Sequence, residues 1–322
     1  MRAIVVSELG DADKLVVAEI AEPGPGAGEL LVEVDAAGLN FIDTYHRTGL
    51  YRLDLPFTPG LEGAGTVLEL GEGVTGFEVG DTVGWVDTLG SYAEQHVIPA
   101  ESAIPIPSSV DTGVAAASLL QGITAHYLAT DTYPLSPGDK CLIHAGAGGV
   151  GLLLTQIAKI RGATVFTTVG TEDKAELSRA AGADHVIVYT QSSFRSAIEE
   201  LSGPKSMSVV YDGVGADTFL EGLDVLAFRG MMVTFGNASG PVPEISPLIL
   251  AQKGSLFLTR PTIAHYTRSR EEVLARTGQL FDWIEAGMLK VRIGAEFPLE
   301  EAAGAHRALE GRKTTGKVLI RP

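Results

Sequence analysis

The sequence predicts an α/β protein in which a β-rich part precedes a parallel sheet wound with helices. Three features carry this reading. A glycine turn follows a short apolar run and opens a helix at Lys140-Cys-Leu-Ile-His-Ala-Gly-Ala-Gly-Gly-Val-Gly151; strands and helices alternate after it; short strands separated by Gly/Pro turns come before it. Within the central stretch Val150, Leu153, Leu154, Ile157 and Ala158 fall on one face at helical spacing. Gly146, Gly148 and Gly151 fill a G-x-G-x-x-G template, with Gly149 and Val150 between them. In a strand–turn–helix setting those glycines serve a tight turn, the close approach of a pyrophosphate, and close helix–strand packing. The helix N-terminus adds unpaired N–H groups that suit phosphate.

Each element has its own signal. Strands are expected at 3–6, 15–17, 29–34, 63–70, 82–86 and 92–98, separated by turn clusters at 23–26, 71–73 and 79–81. Many short strands of this kind predict a barrel-like domain. Asp111 is a fitting N-cap for a helix over 111–119, and a second helix is expected over 122–129. Pro134 and Pro137-Gly138 then break the chain before the glycine turn. After the strand that begins at Cys141, further strands are expected at 164–169, 185–188, 208–211, 231–235 and 255–258, with helices at 172–181, 194–201 and 216–227. Six strands with the glycine turn after the first describe a Rossmann, doubly wound parallel sheet. The Pro-rich segment 237–247 shows no regular element. Helices follow at 270–285 and 299–309, and a closing strand at 317–320.

Composition narrows the function. The 322 residues suggest two domains, 45% of them are hydrophobic, and 20% are charged, so packed cores are expected rather than disorder. The formal net charge of -16 repels nucleic acid and anionic membranes at long range. Cys141 is the single cysteine, which excludes an internal disulfide and a cysteine-based metal cluster. Met1 leads straight into a strand-like run, and no apolar segment is long enough to span a bilayer, so a cytoplasmic setting is expected.

Further motifs are Gly38-Leu-Asn-Phe-Ile-Asp-Thr-Tyr45, Val79-Gly-Asp81, Gly122-Ile-Thr-Ala125, His144-Ala-Gly-Ala-Gly-Gly-Val-Gly151, Tyr211-Asp-Gly-Val-Gly215, Phe235-Gly-Asn-Ala-Ser-Gly240, Leu258-Thr-Arg-Pro261 and Leu309-Glu-Gly-Arg-Lys-Thr-Thr-Gly-Lys317. Taken together, and over essentially the full length, they resemble the medium-chain dehydrogenase/reductase superfamily. Within it the chain is similar to the zinc-independent, zeta-crystallin-like quinone oxidoreductases. The resemblance implies a GroES-like catalytic domain made of 1–121 and 263–322, with a Rossmann NADP-binding domain over 122–262 inserted and the active site in the cleft between them. It also implies a homodimer, formed through the last Rossmann strand near 255–258; an exposed apolar edge strand suits such pairing.

The cofactor expected is NADPH. A site that prefers NAD commonly places Asp or Glu at the tip of the second strand. Here that strand ends Thr167-Thr-Val-Gly-Thr171, and Glu172 and Asp173 fall where they would open the next helix. By resemblance, Gly170, Lys174, Tyr189 and Arg312 surround the 2′-phosphate; a charge-assisted contact of this kind is worth about 1.5–3 kcal/mol. Taken alone, Lys174 also reads as a solvated helix lysine. Val214, Gly215, Phe235, Gly236, Ser239, Leu258 and Arg260 line the cofactor groove by the same resemblance, although Arg260 also suits a structural salt bridge.

No metal is expected. Zinc enzymes of the superfamily carry a cysteine after the first-domain glycine and later a Gly-His-Glu. This chain has Gly38-Leu-Asn40 and Gly60-Leu-Glu62, without the cysteine or the histidine, and without a four-cysteine lobe. Glu62 alone falls short of the three protein ligands of a catalytic zinc. The seven histidines are scattered, and packing or surface roles are expected for them. Without Lewis-acid activation, hydride from the nicotinamide needs an electron-poor acceptor, and a quinone fits. The resemblance places Asn40, Tyr45, Tyr51 and Thr124 around nicotinamide and acceptor: Asn40 and Thr124 toward the carboxamide, the tyrosines as walls and hydroxyl donors. Asp43 reads as an orienting or capping residue, and Tyr51 equally as a loop tyrosine. No general acid is evident. Two other readings stand beside quinone reduction: NADPH-dependent reduction of α,β-unsaturated aldehydes or ketones, and a structural or nucleic-acid-binding role, which the acidic charge disfavours.

Overall fold

The computed structural model describes residues 1–322, which divide into two compact units. Along the chain, β1 (Arg2–Val5) pairs with β2 (Val16–Glu19); β3 (Glu29–Leu39) leads into α1 (Phe41–Thr48); β4 (Glu62–Leu70), β5 (Thr82–Val86), β6 (Gln95–Pro99) and β7 (Ile104–Pro105) precede α2 (Thr112–Tyr127). Next come β8 (Lys140–Ile143), α3 (Gly149–Ile160), β9 (Thr164–Val169), α4 (Glu172–Ala180), β10 (His185–Val188), α5 (Phe194–Ser202), β11 (Met207–Asp212), α6 (Phe219–Val225), β12 (Leu226–Thr234), α7 (Leu248–Gly254) and β13 (Phe257–Thr259). The chain closes with α8 (Arg270–Glu285), β14 (Ile293–Pro298), α9 (Ala302–Glu310) and β15 (Lys317–Arg321).

The first unit contains 1–123, 267–287 and 291–322. Its main sheet runs β14-β15-β3-β4-β5-β7, with β6 also on β3. Apolar residues of β3 and β4, including Leu30, Val32, Val34 and Val67, pack with Trp85, Tyr92, Ile98 and the C-terminal Val318 and Ile320. Both chain ends therefore feed one core. The pairing of Val318 with Leu39 and Ile320 with Ala37 fixes the C-terminal strand beside the junction of β3 and α1.

The second unit contains 124–266 and 288–290. Its six-stranded sheet runs β10-β9-β8-β11-β12-β13, and every neighbouring pair is parallel. In order of appearance this is third, second, first, fourth, fifth, sixth, the Rossmann order. Consecutive Cys141, Leu142 and Ile143 are all buried, as a central parallel strand covered on both faces requires. The order reverses between β8 and β11, which places the ligand-binding switch point at the loops after those strands.

Several elements depart from the sequence reading. The two helices expected over 111–119 and 122–129 are one, α2, followed by a wider turn over Leu128–Thr132. Gly122 does not break it: a Cβ there would lie 3.0 Å from Leu280 Cδ1, so the glycine serves close approach of α8. Asp111 does cap the helix, accepting from Val114 N at 3.1 Å. The helix expected over 216–227 shrinks to α6, because Leu226 already begins β12. Helices α1 and α7 and strand β14 had no counterpart in the reading. No helix is long and apolar enough to cross a membrane.

Candidate active site

The glycine turn of the second unit is built from backbone. Ala145, after β8, adopts a left-handed φ of 55°, which turns the chain out of the sheet. Gly146 N donates to Thr168 O at 2.9 Å and Gly148 N to Ala145 O at 2.9 Å. A Cβ on Gly151 would lie 2.3 Å from Ala145 O, and one on Gly146 would lie 2.6 Å from Thr167 Cβ. Only glycine fits at either position. Gly148 is the N-cap of α3, and the first intrahelical bond runs from Leu152 N to Gly148 O. The N–H groups of Gly149, Val150 and Gly151 thus open the helix without intrahelical partners. Gly146, Gly148, Gly149, Val150 and Gly151 are brought together as one cradle.

Next to it, the ends of β9 and β10 bring Gly170 and Tyr189 together, and Lys174 follows on α4. Tyr189 N donates to Val169 O at 3.0 Å, and a Cβ on Gly170 would meet Tyr189 Oη at 2.8 Å. Thr171 caps α4 through Lys174 N, so Lys174 sits in the first turn. Glu172 and Asp173 open the same helix, where acids suit the dipole, as the sequence indicated.

The loops after β11 and β12 meet backbone to backbone. Asp212 Oδ1 accepts from Val214 N at 2.8 Å and Gly215 N at 3.0 Å. Ser239 Oγ donates to Val214 O at 2.9 Å, and Phe235 N donates to Asp212 O at 2.8 Å. A Cβ on Gly236 would lie 2.3 Å from Gly213 O, which again demands glycine. Arg260 Nη1 donates to Thr234 Oγ1 at 3.1 Å and Gly236 O at 3.0 Å, just beyond β13, where Leu258 lies. Val214, Gly215, Phe235, Gly236, Ser239 and Arg260 therefore form one rim at the strand ends. Thr124 is buried on α2 in this unit.

In the first unit Asn40, Tyr45 and Tyr51 are close neighbours along α1. Asn40 is its N-cap residue. Tyr45 is buried, and its ring meets Tyr51 edge-on at 5.3 Å and 72°. Tyr51 N donates to Tyr45 O at 3.1 Å, so the turn after α1 is tied back to the helix. Arg312 belongs to this unit, after α9, with a left-handed φ of 56°.

Beneath α1 lies a buried charged cluster. Asn40 Nδ2 donates to Glu62 Oε1 at 2.7 Å and to Gly38 O at 3.1 Å, while Asn40 Oδ1 accepts from Lys317 Nζ at 2.9 Å and Gln121 Nε2 at 3.3 Å. Lys317 Nζ also pairs with Glu62 Oε1, and Leu120 N donates to Glu62 Oε2 at 2.7 Å. Asp43 Oδ2 accepts from Asn40 N at 2.8 Å and Tyr92 Oη at 2.9 Å, and Asp43 Oδ1 is buried without a partner. Burial pushes the Asp43 carboxyl up to about 7 against the pull of these hydrogen bonds. His306, beside Arg47 at 3.1 Å, is driven down to about 3, first by burial and then by the guanidinium. Burial also lowers the Lys317 ammonium, against Glu62 and Asp43, which hold the charge in place. The histidines divide: His46, His96, His126, His144 and His306 are buried, while His185 and His265 are not.

A family model described as an alcohol dehydrogenase GroES-like domain matches 26–108, and one described as a zinc-binding dehydrogenase matches 149–284. A quinone oxidoreductase of Pseudomonas aeruginosa is 45% identical over 94% of this chain and 93% of its own. The chain belongs to the quinone oxidoreductase family. That family lies within the medium-chain dehydrogenase/reductase superfamily. A 2-haloacrylate reductase from a Burkholderia species is 40% identical over 99% of this chain and 98% of its own. Among solved structures, Escherichia coli quinone oxidoreductase complexed with NADPH superposes with a TM-score of 0.98 at 41% identity, covering 100% of both chains.

Glu62, the one acid of the Gly60-Leu-Glu62 motif, is engaged by Lys317, Asn40 and Leu120, and its counter-cation is an ammonium of the chain itself. No group of three or more His, Cys, Asp or Glu could hold an ion. These residues do not fit zinc. The dinucleotide fits: the glycine turn leads into an α3 N-terminus with unpaired N–H groups, and the β9 tip, Gly170-Thr171, carries no carboxylate, with Lys174 following in the first turn of α4 after Glu172 and Asp173. Sequence reasoning missed the pairing of Lys317 with Glu62 and the network of Asp43, Tyr92, Arg47 and His306. Gly38, inside a strand, was the available signal for close approach there.

Proposed function

We propose that the protein is an oxidoreductase that reduces quinones with NADPH, without a metal. The observation that carries this reading is the glycine cradle of α3, beside which the tip of β9 at Gly170-Thr171 lacks a carboxylate and meets Tyr189, with Lys174 in the first turn of α4. The bound nicotinamide supplies the hydride. The N–H groups of Gly149, Val150 and Gly151 hold the pyrophosphate, and Lys174 and Tyr189 hold the 2′-phosphate. The rim of Val214, Gly215, Phe235, Gly236, Ser239, Leu258 and Arg260 lines the rest of the groove, and the Thr124 hydroxyl serves the carboxamide. The cofactor then belongs to 122–262, and the acceptor side to 1–121 with 263–322. Tyr45 and Tyr51 wall the acceptor pocket and donate to the oxyanion that develops on it. Asn40, its amide engaged on all sides, acts as the floor beneath them. Water delivers the proton.

A second reading, reduction of an activated alkene, rests on the 2-haloacrylate reductase at 40% identity. The two are separated by following NADPH oxidation at 340 nm with a panel of quinones and enals. Quinones are expected to turn over faster and without sensitivity to chelators; turnover confined to enals overturns the first reading in favour of the second.

The assembly we propose is a homodimer formed along β13. That strand is the sheet edge, and Phe257 on it is 56% exposed, with Phe228 of β12 at 74%. Apolar rings on an open edge suit burial against a second copy. Sedimentation equilibrium checks this, and a single-chain mass at micromolar protein contradicts it. The setting is the cytoplasm, where the buried thiol Cys141 stays reduced.

A further inference from the structure

The ion pair beneath α1 has no counterpart in cofactor binding, yet it is placed at one particular spot. Lys317 is 1% exposed and Glu62 is fully buried, so both charges are out of water. A buried pair is often no more stabilising than apolar residues of similar volume. Its value then lies in what it orients. The side-chain amide of Asn40 is an object that can rotate by half a turn with little change of shape. Here it cannot, because Lys317 Nζ faces its oxygen at 2.9 Å and Glu62 Oε1 faces its nitrogen at 2.7 Å. The backbone N–H of the same Asn40 binds Asp43 Oδ2, which fixes the first turn of α1. One turn further along α1 is Tyr45, and the turn carrying Tyr51 is bonded to Tyr45 O. Gly38 makes room for all this: a Cβ there would lie 2.4 Å from Glu62 Oε1 and 2.6 Å from Lys317 Cε.

We infer that Lys317 is a positioning residue for the acceptor side of the site: locked onto Glu62, its ammonium fixes Asn40 and so sets the placement of α1, Tyr45 and Tyr51. The chain's own cation does for this region what a bound ion would do elsewhere. The inference rests on the reading that these tyrosines face the acceptor.

Three variants test it: Lys317→Met, the charge-balanced double variant Lys317→Met/Glu62→Gln, and Gly38→Ala, which keeps both charges but forces them off the Asn40 amide. Lys317→Met strands a buried carboxylate and should lower Tm by roughly 10 °C. The double variant should recover most of that loss. In both the double variant and Gly38→Ala, amide exchange of residues 41–51 should quicken by about tenfold. Quinone kcat/KM should fall by about tenfold or more, while the NADPH Kd stays within about twofold of the parent. A double variant with parental exchange and parental quinone kcat/KM shows a merely structural pair and overturns the inference. So does an NADPH Kd that weakens in step with kcat/KM. Should the double variant fail to fold, Gly38→Ala decides on the same readouts. A parent protein with no quinone turnover counts against the functional reading alone, because the exchange of residues 41–51 still reads whether the pair holds α1.

Discussion

The two units handle charge by opposite means. The second unit builds its glycine turn from backbone: a helix N-terminus with unpaired N–H groups, glycines that let the turn pack against Thr167 and Ala145, and a lysine in the first turn of the next helix. The first unit buries ionisable groups from distant segments, Glu62 of β4, Lys317 of β15 and Asp43 of α1, and holds them with side chains as well as backbone N–H groups, leaving Asp43 Oδ1 without a partner. Backbone N–H groups keep their dipoles at any pH. Buried carboxyl and ammonium groups do not keep their charges, and their pairing must be completed atom by atom. A site of the first kind depends first on its glycines, whose replacement brings collision. A site of the second kind is sensitive at every member.

The largest effect that would break this comparison is in the pH dependence of stability. Asp43 is held at about 7 in the folded protein against an ordinary 3.8. The folded state therefore binds more protons than the unfolded state between those values, so this group costs stability as pH rises through the window. The slope is up to about 1.4 kcal/mol per pH unit for one such group. Asp43→Asn removes it. The Tm of the variant, minus that of the parent, should grow as pH rises from about 4 to about 7. A constant difference across that range would mean that the carboxyl is no more protonated in the folded protein than in the unfolded chain.

Much of the second unit was legible because its function is written in glycine. Gly146 and Gly151 cannot be replaced without collision, so the requirement shows in the sequence itself, and the alternation of strand and helix around them is local. The first unit's cluster was not legible in this way. Glu62 and Lys317 lie 255 positions apart, and only the pairing of β15 with β3 and β3 with β4 brings them together. Nothing local in the sequence announced that the Asn40 amide is fully engaged, because its partners Glu62, Gln121 and Lys317 come from other elements. Strand β14 went unseen because it pairs in parallel with the next strand, β15, across α9, so no hairpin turn announces it. Helix α7, seven residues after a Pro-rich run, is too short for periodicity to declare it. The single helix α2 was split at Gly122 because the glycine's reason, the contact with Leu280, lies on another element.

A smaller effect sharpens the comparison from the side of the second unit. On the proposed reading the cradle binds what both dinucleotides share, and Lys174 binds what only one of them has. The most direct measurement is kcat/KM for NADPH and for NADH with a single quinone, in the parent and in Lys174→Ala. The parent should prefer NADPH. Lys174→Ala should lose about tenfold or more with NADPH while its value with NADH stays within about twofold, as loss of one charge-assisted contact requires. An equal loss with both cofactors would contradict the account, because Lys174 would then be supporting the fold of α4 rather than reading the 2′-phosphate.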